Sequence, residues 1–482
     1  MSSLLQRPFS HVIDGKLFDD ESAKTILIVN PATEETLANV PIATRDTVEK
    51  AVQSAAAAFA TWSKWSWDER ASRVRKSGEA FRDLKPQLAM LLVAEQGKAL
   101  GAAHYELDTA QEWFDRLHQL QPKEKVVYEN DSTRVIERYL PLGVSAAIVP
   151  WNFPVLLMIW KILPAIIMGN TIIVKPSPFT PLCSVRIVEM LQQFFPPGVV
   201  QVLTGDDSLG PWLTEHPGIR KISFTGSTAT GRLVARSCAA TLKRFTLELG
   251  GNDASIIMPD IDVPKVAPRV FQAAFFNSGQ TCHAAKRIYV HEDVYDRFAQ
   301  AMASLAKQAK VGRGEESDTV FGPLNNKMQH DKIAEFIDQS RGEGHTFLAG
   351  GKMEQTTGYF APLTIVDRPP EASRIVQEEP FGPIVPLLQW TDEEDLIRRV
   401  NDSPYGLGAT VWGTDLDRVE RVGRRIEAGL VWTNQERMDQ HPEVAFGGFK
   451  QSGIGCENGM AGLTGWGQIQ CIALLKAPTN DL

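Results

Sequence analysis

Short apolar runs alternate with longer helix-type segments between about residues 140 and 256. Strands that are apolar on both faces are typical of a parallel sheet that helices cover on its two sides. This stretch therefore predicts an α/β layer built from successive βα units. The predicted strands lie in VSAAIVP, TIIVKPS, VVQVLTG, KISFTGS and RFTLELGG, and the predicted helices cover 155–169, about 181–196, about 207–215 and a segment from 228.

A second series of strands and helices begins near residue 270 and predicts another α/β layer. Before the first series, two segments rich in alanine, VEKAVQSAAAAFATWSKW and WDERASRVRKSGEAFRDLKPQLAMLLVAEQGK, have the pattern of amphipathic helices that pack on the sheet. The second series has predicted strands in RIYVHE, GPIVPLLQW, GATVWG and AGLVWTN, and predicted helices over 293–310, 392–402 and 415–427.

Two further segments predict strands that project from these layers. Residues 126–143 alternate apolar and polar side chains around the turn-forming sequence Asn130-Asp131-Ser132, which predicts a hairpin. The sequence IQCIALLK near the C-terminus predicts a short apolar strand. Because a free strand edge exposes backbone N–H and C=O groups, we expect these strands to pair between subunits.

Composition narrows the class of protein. A chain of 482 residues is long enough for about three domains. Its 50 basic and 58 acidic residues give a net charge of −8 and are interspersed, so we expect no nucleic-acid partner. The most apolar segment, 155–169, is shorter than the ~18 residues that a membrane span needs and contains Lys161 and Pro164, so we expect no membrane insertion.

The cysteines and the N-terminal sequence bear on the compartment. Five cysteines without a CxxC pair argue against a disulfide framework and against a thiolate metal cluster. The N-terminal sequence MSSLLQRPFSHVIDG lacks the apolar core of a signal peptide. We therefore expect a cytoplasmic protein in a reducing compartment, with no bound metal.

Cys282 is the first candidate for chemistry, because it follows the small and polar residues NSGQT directly before a predicted strand. A cysteine acts as a nucleophile through its thiolate, which needs a polar and partly open environment. Ser278 and Gly279 would let backbone amides come close to the sulfur. The local sequence leaves open whether Cys282 is such a nucleophile or a small buried core residue.

Glu248 is the second candidate, at the end of the predicted strand in RFTLELGG and beside Gly250 and Gly251. An apolar environment raises the pKa of a carboxyl group, which suits a general base. The alternative is a carboxylate that faces solvent from an edge strand.

Asn152, in PWNFP, stands at the turn before the buried helix, for which Pro154 is the expected first residue. Its side-chain amide could stabilise an oxyanion, or it could cap the turn.

The segment FTGSTATG places Gly226 and Ser227 between a predicted strand and a predicted helix. Backbone donors at such a helix N-terminus can hold a phosphate. Because the motif is GSTxxG rather than GxGxxG, it is weak evidence for a nucleotide when taken alone.

Seven segments, in this order, resemble motifs of the NAD(P)-dependent aldehyde dehydrogenase superfamily. They extend over nearly the whole chain, and seven matches in register are far more specific than any one of them. The matching segments are PWNFP, GNTIIVKPS, FTGSTATG, LELGG, NSGQTC, EEPFGP and FGGFKQSGIGCENG.

The resemblance implies an α/β subunit of three domains with a Rossmann-like parallel sheet. It assigns 1–122 and 144–250 to a cofactor-binding domain and 251–464 to a second α/β domain that carries catalysis. Residues 123–143 and 465–482 form the β oligomerisation arm. A homodimer or homotetramer is expected, since strand exchange usually closes symmetrically.

The same resemblance implies a reaction. Cys282 attacks the aldehyde carbonyl, and the Asn152 amide and the Cys282 backbone N–H hold the thiohemiacetal oxyanion. Hydride transfer to the nicotinamide leaves a thioester, which is hydrolysed by water that Glu248 activates. Relatives that transfer the acyl group to coenzyme A typically lack this glutamate, so a carboxylic acid is the expected product.

The resemblance also implies a set of cofactor contacts. Lys175 would reach the adenosine ribose, Ser227 the pyrophosphate, and Glu379 and Phe381 the nicotinamide ribose and ring. The full set of implied cofactor residues is Pro150, Trp151, Lys175, Ser177, Gly226, Ser227, Leu249, Glu379 and Phe381.

The sequence departs from the family pattern at three positions. Pro178 stands where many NAD-preferring relatives have a Glu that holds the ribose 2′-hydroxyl and repels a 2′-phosphate. NADP is therefore possible, but no added Arg in the motif attracts that phosphate, so NAD is the expected cofactor. Asn252 stands where Lys is common, and Cys456 where GRE has Arg.

The residues that match the family's substrate tunnel are Phe153, Trp160, Thr281, His283 and Phe446. Their aromatic character predicts an apolar or aromatic aldehyde, and the lack of an arginine pair argues against an acid semialdehyde. His283 either tunes the thiolate or fills the tunnel, and we favour filling.

Two other functions stay open from the sequence. One is a thiol esterase or hydrolase that uses Cys282 and Glu248 without a cofactor. The other is a non-catalytic scaffold, suggested by Asn252 and Cys456. Cofactor dependence and the reactivity of the Cys282 thiol would separate these functions.

Overall fold

The computed structural model describes residues 3–19, 24–436 and 440–476. The N-terminal part contains short strands, three helices and a hairpin. Helices α1 and α2 begin at Thr44 and Ser66, whose side chains accept hydrogen bonds from the backbone three residues on in capping boxes. The elements are β1 His11–Ile13, β2 Lys16–Phe18, β3 Thr25–Val29, β4 Thr36–Pro41, α1 Arg45–Trp62, α2 Trp67–Gln96, α3 Leu100–Arg116, β5 Lys125–Glu129 and β6 Thr133–Pro141.

The next part alternates strands and helices as the apolar pattern predicts. Pro154 is the first residue of α4, and every residue of this helix is buried. The elements are β7 Val144–Ile148, α4 Pro154–Ile167, β8 Thr171–Lys175, α5 Leu182–Leu191, β9 Val200–Val202, α6 Leu209–Glu215, β10 Ile219–Thr225, α7 Thr228–Ala239 and β11 Arg244–Glu248.

The C-terminal part carries the second α/β series and a final long strand. Its elements are β12 Asp253–Ile257, α8 Val263–Phe275, β13 Ala285–His291, α9 Glu292–Gln308, α10 Lys327–Gly342, β14 Thr346–Ala349, β15 Thr364–Asp367, α11 Arg374–Gln377, β16 Ile384–Trp390, α12 Glu393–Asn401, β17 Tyr405–Gly406, β18 Gly408–Trp412, α13 Leu416–Gly423, β19 Leu430–Thr433, β20 Phe449–Lys450, β21 Gly453–Ile454, α14 Gly459–Thr464 and β22 Gly467–Leu475.

The first sheet has the strand order β2-β1-β9-β8-β7-β10-β11-β21. Strands β7 to β11 are parallel, whereas β1 and β21 join the two ends antiparallel. The strand order reverses at β7, and ligands of such sheets bind at the carboxyl ends beside that point. The strands before α1 were not predicted from the sequence, because each is short and shows no clear alternation.

The second sheet has the order β14-β15-β16-β13-β12-β18-β19, with only β14 antiparallel to its neighbour. Its interior strand β12 was not predicted, because Asp253 and Ser255 interrupt its apolar run directly after Gly250 and Gly251. The two sheets are consecutive in the chain at β11 and β12. The predicted domain ranges stay a prediction; β21, within 251–464, pairs with β11 of the first sheet.

The predicted hairpin is formed by β5 and β6, with the Asn130 side chain accepting backbone hydrogen bonds from Ser132 and Thr133 at 3.0 and 2.8 Å. The C-terminal strand β22 pairs antiparallel with β6 of the same chain, from Gly467 opposite Pro141 to Leu475 opposite Thr133. The two segments therefore pair with each other within the chain, and the expected pairing between subunits stays a prediction. Strands β5 and β22 are the outer strands of this sheet, and the oligomeric state stays a prediction.

No helix in the three described stretches is both long enough and apolar enough to cross a membrane. The apolar helix α4 lies instead in the largest core, packed against α2, α3 and α5. The cytoplasmic location stays a prediction.

Candidate active site

The loop before Cys282 has an unusual backbone. Asn277, Ser278 and Gly279 have positive φ angles of 53°, 56° and 72°, a left-handed conformation that costs free energy for residues with a Cβ. A Cβ on Gly279 would lie 2.3 Å from the carbonyl oxygen of Gly382. Gly279 is therefore required because the loop packs directly on the EEPFGP segment at this position.

Asn152 is tied to the same loop from the end of β7. Its side-chain Nδ2 donates to the carbonyl of Gln280 at 3.0 Å, and the Asn277 amide donates to the Asn152 carbonyl at 3.1 Å. Asn152 is only 3% exposed. Its amide thus reaches the loop of Cys282 rather than only capping its own turn.

A buried ion pair holds Asn152 from behind and was missed in the sequence. Lys98 Nζ lies 2.5 Å from Glu106 Oε2 and donates to the Asn152 carbonyl at 2.9 Å. Glu106 Oε1 accepts from the backbone N–H groups of Val155 and Leu156 at the start of α4. Because buried charges are costly unless paired, this arrangement fixes α2, α3 and the Asn152 turn relative to one another.

Cys282 lines a cavity and is partly exposed. Burial raises the pKa of the Cys282 thiol to about 12, and Lys286 opposes this shift, whereas Glu379, Asp253 and Glu248 add to it. Lys286 Nζ donates to the Cys282 carbonyl at 2.7 Å. Glu248, the second predicted catalytic group, thus contributes to the electrostatic environment of the Cys282 thiol.

Glu248 ends β11 and is 3% exposed. Burial raises the pKa of its carboxyl group well above the usual range, Glu457 raises it further, and Lys161 lowers it. Neither carboxylate oxygen accepts a well-formed hydrogen bond from the described residues. The alternative of a solvent-facing carboxylate on an edge strand is wrong, since β21 covers β11 and the side chain is buried.

A buried polar cluster lies beside Glu248. Lys161 Nζ donates to Glu457 Oε1 at 2.7 Å and to Ser223 Oγ at 2.9 Å, and Ser223 Oγ donates to the same Glu457 oxygen at 2.5 Å. The sequence held a signal for this cluster, because a lysine inside an otherwise apolar helix needs a buried partner. The partner itself, nearly 300 positions away, could not be identified.

A cavity of about 40 Å³ opens onto the Cys282 sulfur. It has room for a few water molecules, because one water needs roughly 10–15 Å³. All five predicted tunnel residues line it together with Cys282. The other lining residues were not predicted from the sequence. The lining residues are Tyr105, Phe153, Leu156, Leu157, Trp160, Phe276, Thr281, Cys282, His283, Gln440 and Phe446.

Two of the predicted nicotinamide residues meet the first sheet. Trp151, after β7, contacts Phe381 edge to face, with 5.4 Å between ring centroids. Glu379 Oε1 accepts hydrogen bonds from Lys286 Nζ at 2.6 Å and from the backbone of Gly251 at 3.2 Å. A Cβ on Gly250 would lie 2.3 Å from Glu379 Oε2, so this carboxylate needs the glycine pair.

The other predicted cofactor residues follow the carboxyl ends of the parallel strands. Lys175 ends β8; burial lowers the pKa of its ammonium group, and Asp207 and Asp206 oppose that shift. Ser227 is exposed and caps α7 by accepting from Thr230 N at 3.2 Å. The remaining members of the set are Pro150 after β7, Ser177 after β8, Gly226 after β10 and Leu249 after β11.

These groups fit a dinucleotide. An exposed helix N-terminus suits a pyrophosphate, and the Lys175 ammonium and the Glu379 carboxylate suit ribose hydroxyls. A Cβ on Gly226 would lie 2.5 Å from the Phe224 ring, so only glycine fits the turn before α7. The fit rests on residues from both sheets that meet at the carboxyl edge of the first.

Asn252 and Cys456 are two of the positions at which the sequence departs from the family pattern. The structure accounts for Asn252. Asn252 is buried, its side-chain amide donates to the Val376 carbonyl at 2.7 Å, and its backbone carbonyl accepts from Arg287 Nε at 2.7 Å. Asn252 thus links β12, β13 and α11. Nothing in the structure explains a cysteine at position 456.

Residues 18–472 match the family model described as the aldehyde dehydrogenase family. Aldehyde dehydrogenase LUC3 of Fusarium sp. is 39% identical over 473 residues, which cover 97% of this chain and 99% of the relative. A phenylacetaldehyde dehydrogenase of Pseudomonas fluorescens is 34% identical over 474 residues, which cover 95% and 94%. These matches confirm the resemblance that the seven motifs indicate.

Solved structures agree with the fold. The NAD+ complex of an aldehyde dehydrogenase from Bacillus cereus superposes with a TM-score of 0.96 at 32% identity and covers 98% of each chain. An NADP-dependent enzyme from E. coli gives 0.94 at 33% identity and covers 97% of this chain and 98% of its own. The predicted three-domain α/β class is confirmed, and a nicotinamide nucleotide is supported as the cofactor.

Proposed function

The chain belongs to the aldehyde dehydrogenase family and is an NAD(P)-dependent aldehyde dehydrogenase, and we propose that it oxidises an apolar or aromatic aldehyde to a carboxylic acid with NAD. The observation that carries this proposal is that Asn152 and Glu248, although outside the cavity wall, both act on Cys282 or on its loop. Cys282 borders the cavity, the Asn152 amide lies on its loop, and Glu248 acts on its thiol.

Cys282 is the proposed nucleophile, and its attack on the aldehyde carbon forms a carbon–sulfur bond. The carbonyl electron pair moves onto oxygen, where the Asn152 Nδ2 and the Cys282 backbone N–H stabilise it. Lys98 and Glu106 keep Asn152 in place during this change, because they fix its carbonyl and the start of α4. Donors that are already oriented need no reorganisation when the charge appears.

Glu248 is the proposed base for the second half of the reaction. Its raised pKa makes it a stronger proton acceptor than an ordinary carboxylate, and its oxygens, which have no hydrogen-bond partner among the described residues, can accept from a water. Removal of a proton from that water lets the oxygen attack the thioester carbon, and the carbon–sulfur bond then breaks to release the acid.

The cofactor would be held by Lys175, Ser227, Glu379 and Phe381, with Trp151 beside Phe381. When bound, the nicotinamide supplies the acceptor for the hydride that leaves the thiohemiacetal carbon. The pairing of Glu379 with Lys286 fixes the carboxylate beside Cys282, where it would orient the nicotinamide end.

The first prediction concerns the substrate class. Among the residues that the structure describes, the cavity wall contains no Arg, Lys, Asp or Glu. A charged substrate would lose hydration without a partner, so phenylacetaldehyde should exceed succinic semialdehyde by at least about tenfold in kcat/KM. The phenylacetaldehyde dehydrogenase from Pseudomonas fluorescens supports including an aryl aldehyde. The measurement is formation of reduced cofactor across short, long, aromatic and acidic aldehydes.

A companion assay separates oxidation from hydrolysis. It measures cleavage of an aryl ester in the absence of cofactor, beside the aldehyde panel. Formation of reduced cofactor from none of the aldehydes, while the ester is cleaved without cofactor, would replace the proposal with a thiol esterase. Preference for the acidic aldehyde would overturn the substrate class only.

The second prediction concerns NAD over NADP. Lys175 interacts electrostatically with Asp206 and Asp207, and both acids are exposed after β9. They place negative charge near the end that would bind the adenosine ribose, so a 2′-phosphate is repelled. We expect Asp207→Asn to raise kcat/KM for NADP about threefold to fivefold and to leave NAD within about twofold.

The reverse change, Pro178→Glu, restores the carboxylate common in NAD-preferring relatives and should lower NADP use. Asp131→Asn, at the exposed tip of the β5–β6 hairpin, is the matched control and should change neither value. An unmodified enzyme that uses NADP better than NAD would contradict the proposed cofactor.

A further inference from the structure

His283 lies between the nucleophile and an amide. Its Nδ1 is 3.5 Å from the Cys282 sulfur, and its Nε2 is 3.2 Å from the side-chain nitrogen of Gln440. The ring stacks on Trp432 at 5.9 Å and meets Phe446 edge on at 5.7 Å. Aromatic contacts thus fix the plane of the ring while both ring nitrogens point at polar groups.

The orientation of the Gln440 amide is coupled to which ring nitrogen of His283 carries the proton. Its Oε1 is buried without a hydrogen-bond partner among the described residues. When the amide is oriented with Oε1 opposite Nε2, this oxygen accepts from the ring and fixes a proton on Nε2. The Nδ1 lone pair then faces the S–H group of Cys282 and can accept its proton.

We propose that His283 is the catalytic base that takes the proton of Cys282, and that Gln440 positions its ring. In this step the S–H bond breaks, its electron pair stays on sulfur, and the proton moves to Nδ1. The resulting imidazolium donates through Nδ1 to the thiolate and through Nε2 to the Gln440 oxygen. The inference rests on the proposed function, in which the thiolate then attacks the aldehyde carbon.

The electrostatic environment of Cys282 disfavours its thiolate, so a base is needed to accept the proton of the thiol. Burial keeps the Cys282 thiol protonated at neutral pH, since its pKa is about 12. Of the charged groups that act on it, Lys286 favours the thiolate, whereas Glu379, Asp253 and Glu248 disfavour it. The neighbouring imidazole of His283 supplies the proton acceptor and then a compensating positive charge.

This assignment divides the proton transfers between two groups. His283 serves the sulfur at the start of the cycle, and its imidazolium returns the proton when the thiolate leaves the thioester. Glu248 serves the hydrolytic water. Because each half-reaction has its own base, Glu248 does not have to lose a proton between the two half-reactions.

The test is the variant His283→Asn, whose amide keeps a polar group near the sulfur but accepts no proton. Alkylation by iodoacetamide is followed by peptide mapping, with the exposed Cys471 as the internal reference. We expect the rate at Cys282 to fall at least about tenfold relative to Cys471 at neutral pH, and its pH midpoint to rise. The initial burst of reduced cofactor should slow about 100-fold.

Gln440→Met, which keeps the length but removes the amide, should slow Cys282 alkylation several-fold and raise its pH midpoint in the same direction. His104→Asn, on the exposed face of α3, is the matched control. An unchanged Cys282 profile in a His283→Asn protein that melts like the wild type overturns the inference. If the His283 variant does not fold, an unchanged pH profile of Cys282 alkylation in Gln440→Met overturns the inference instead.

Alkylation of Cys282 needs no aldehyde. The proposed function and the proposed role of His283 can therefore be tested independently. A wild type that oxidises no aldehyde defeats the proposed function, even with a reactive Cys282. A wild type that oxidises aldehydes with a burst unaffected by His283→Asn defeats only the role of His283.

Discussion

Replacement of Cys282 by serine is expected to abolish aldehyde oxidation and to leave cofactor binding intact. The hydroxyl matches the thiol in size, so the cavity and the strained loop at 277–279 should persist. A serine is a much weaker nucleophile than a cysteine, and loss of an enzyme's covalent step typically costs on the order of 10⁴-fold or more in kcat. Reduced-cofactor formation measures the loss, and quenching of tryptophan fluorescence measures cofactor binding.

The matched control for this change is Cys471→Ser, on the exposed outer strand β22. It should retain the activity of the wild type. Full activity in Cys282→Ser would show that the sulfur forms no bond to the substrate, and the proposed mechanism would have to be abandoned. Lost activity together with lost cofactor binding would instead indicate a damaged fold.

The sheets were largely predictable because their strands are apolar on both faces. Buried runs such as Thr171–Lys175 and Ile384–Trp390 match the sequence pattern directly. Strand β12 did not, since Asp253 and Ser255 lie inside it and Ser255 is satisfied by Thr410 of the adjacent strand. A polar residue with a partner on the next strand breaks the apolar pattern without breaking the strand.

The catalytic candidates were recognisable from motifs, but their support was not. Lys98 and Glu106 are eight residues apart and meet across the turn that follows α2, where Gly97 has a left-handed conformation. Lys161 and Glu457 come from opposite parts of the chain. Such pairs follow from tertiary packing, which spacing along one segment does not encode.

The role of His283 illustrates the same limit. The sequence shows a histidine next to the candidate nucleophile, which is equally compatible with a tunnel wall. Only the structure places Gln440 and Trp432, from segments about 150 residues away, against its ring. The orientation of an imidazole depends on those contacts, and its chemistry depends on that orientation.

The second large effect is expected for Glu248→Gln, which should uncouple the two halves of the reaction. The amide cannot take a proton from water, so the thioester should accumulate after one hydride transfer. We expect a burst of reduced cofactor close to one per active site, followed by a steady rate lowered about 10²-fold to 10⁴-fold. Rapid-mixing absorbance measures the burst, and mass spectrometry of the acid-quenched protein measures acyl-Cys282.

The raised pKa of Glu248 also predicts the direction in which the steady rate changes with pH. Burial raises the pKa of Glu248, so its active carboxylate form is the minor one until the pH approaches that raised value. The steady rate of the wild type should therefore rise with pH through that range, and Glu248→Gln should lose this rise. Glu420→Gln, on the exposed side of α13, is the control and should keep it. A Glu248→Gln protein that shows neither burst nor acyl-enzyme would place the glutamate before the thioester and would move the role of base for water to another group.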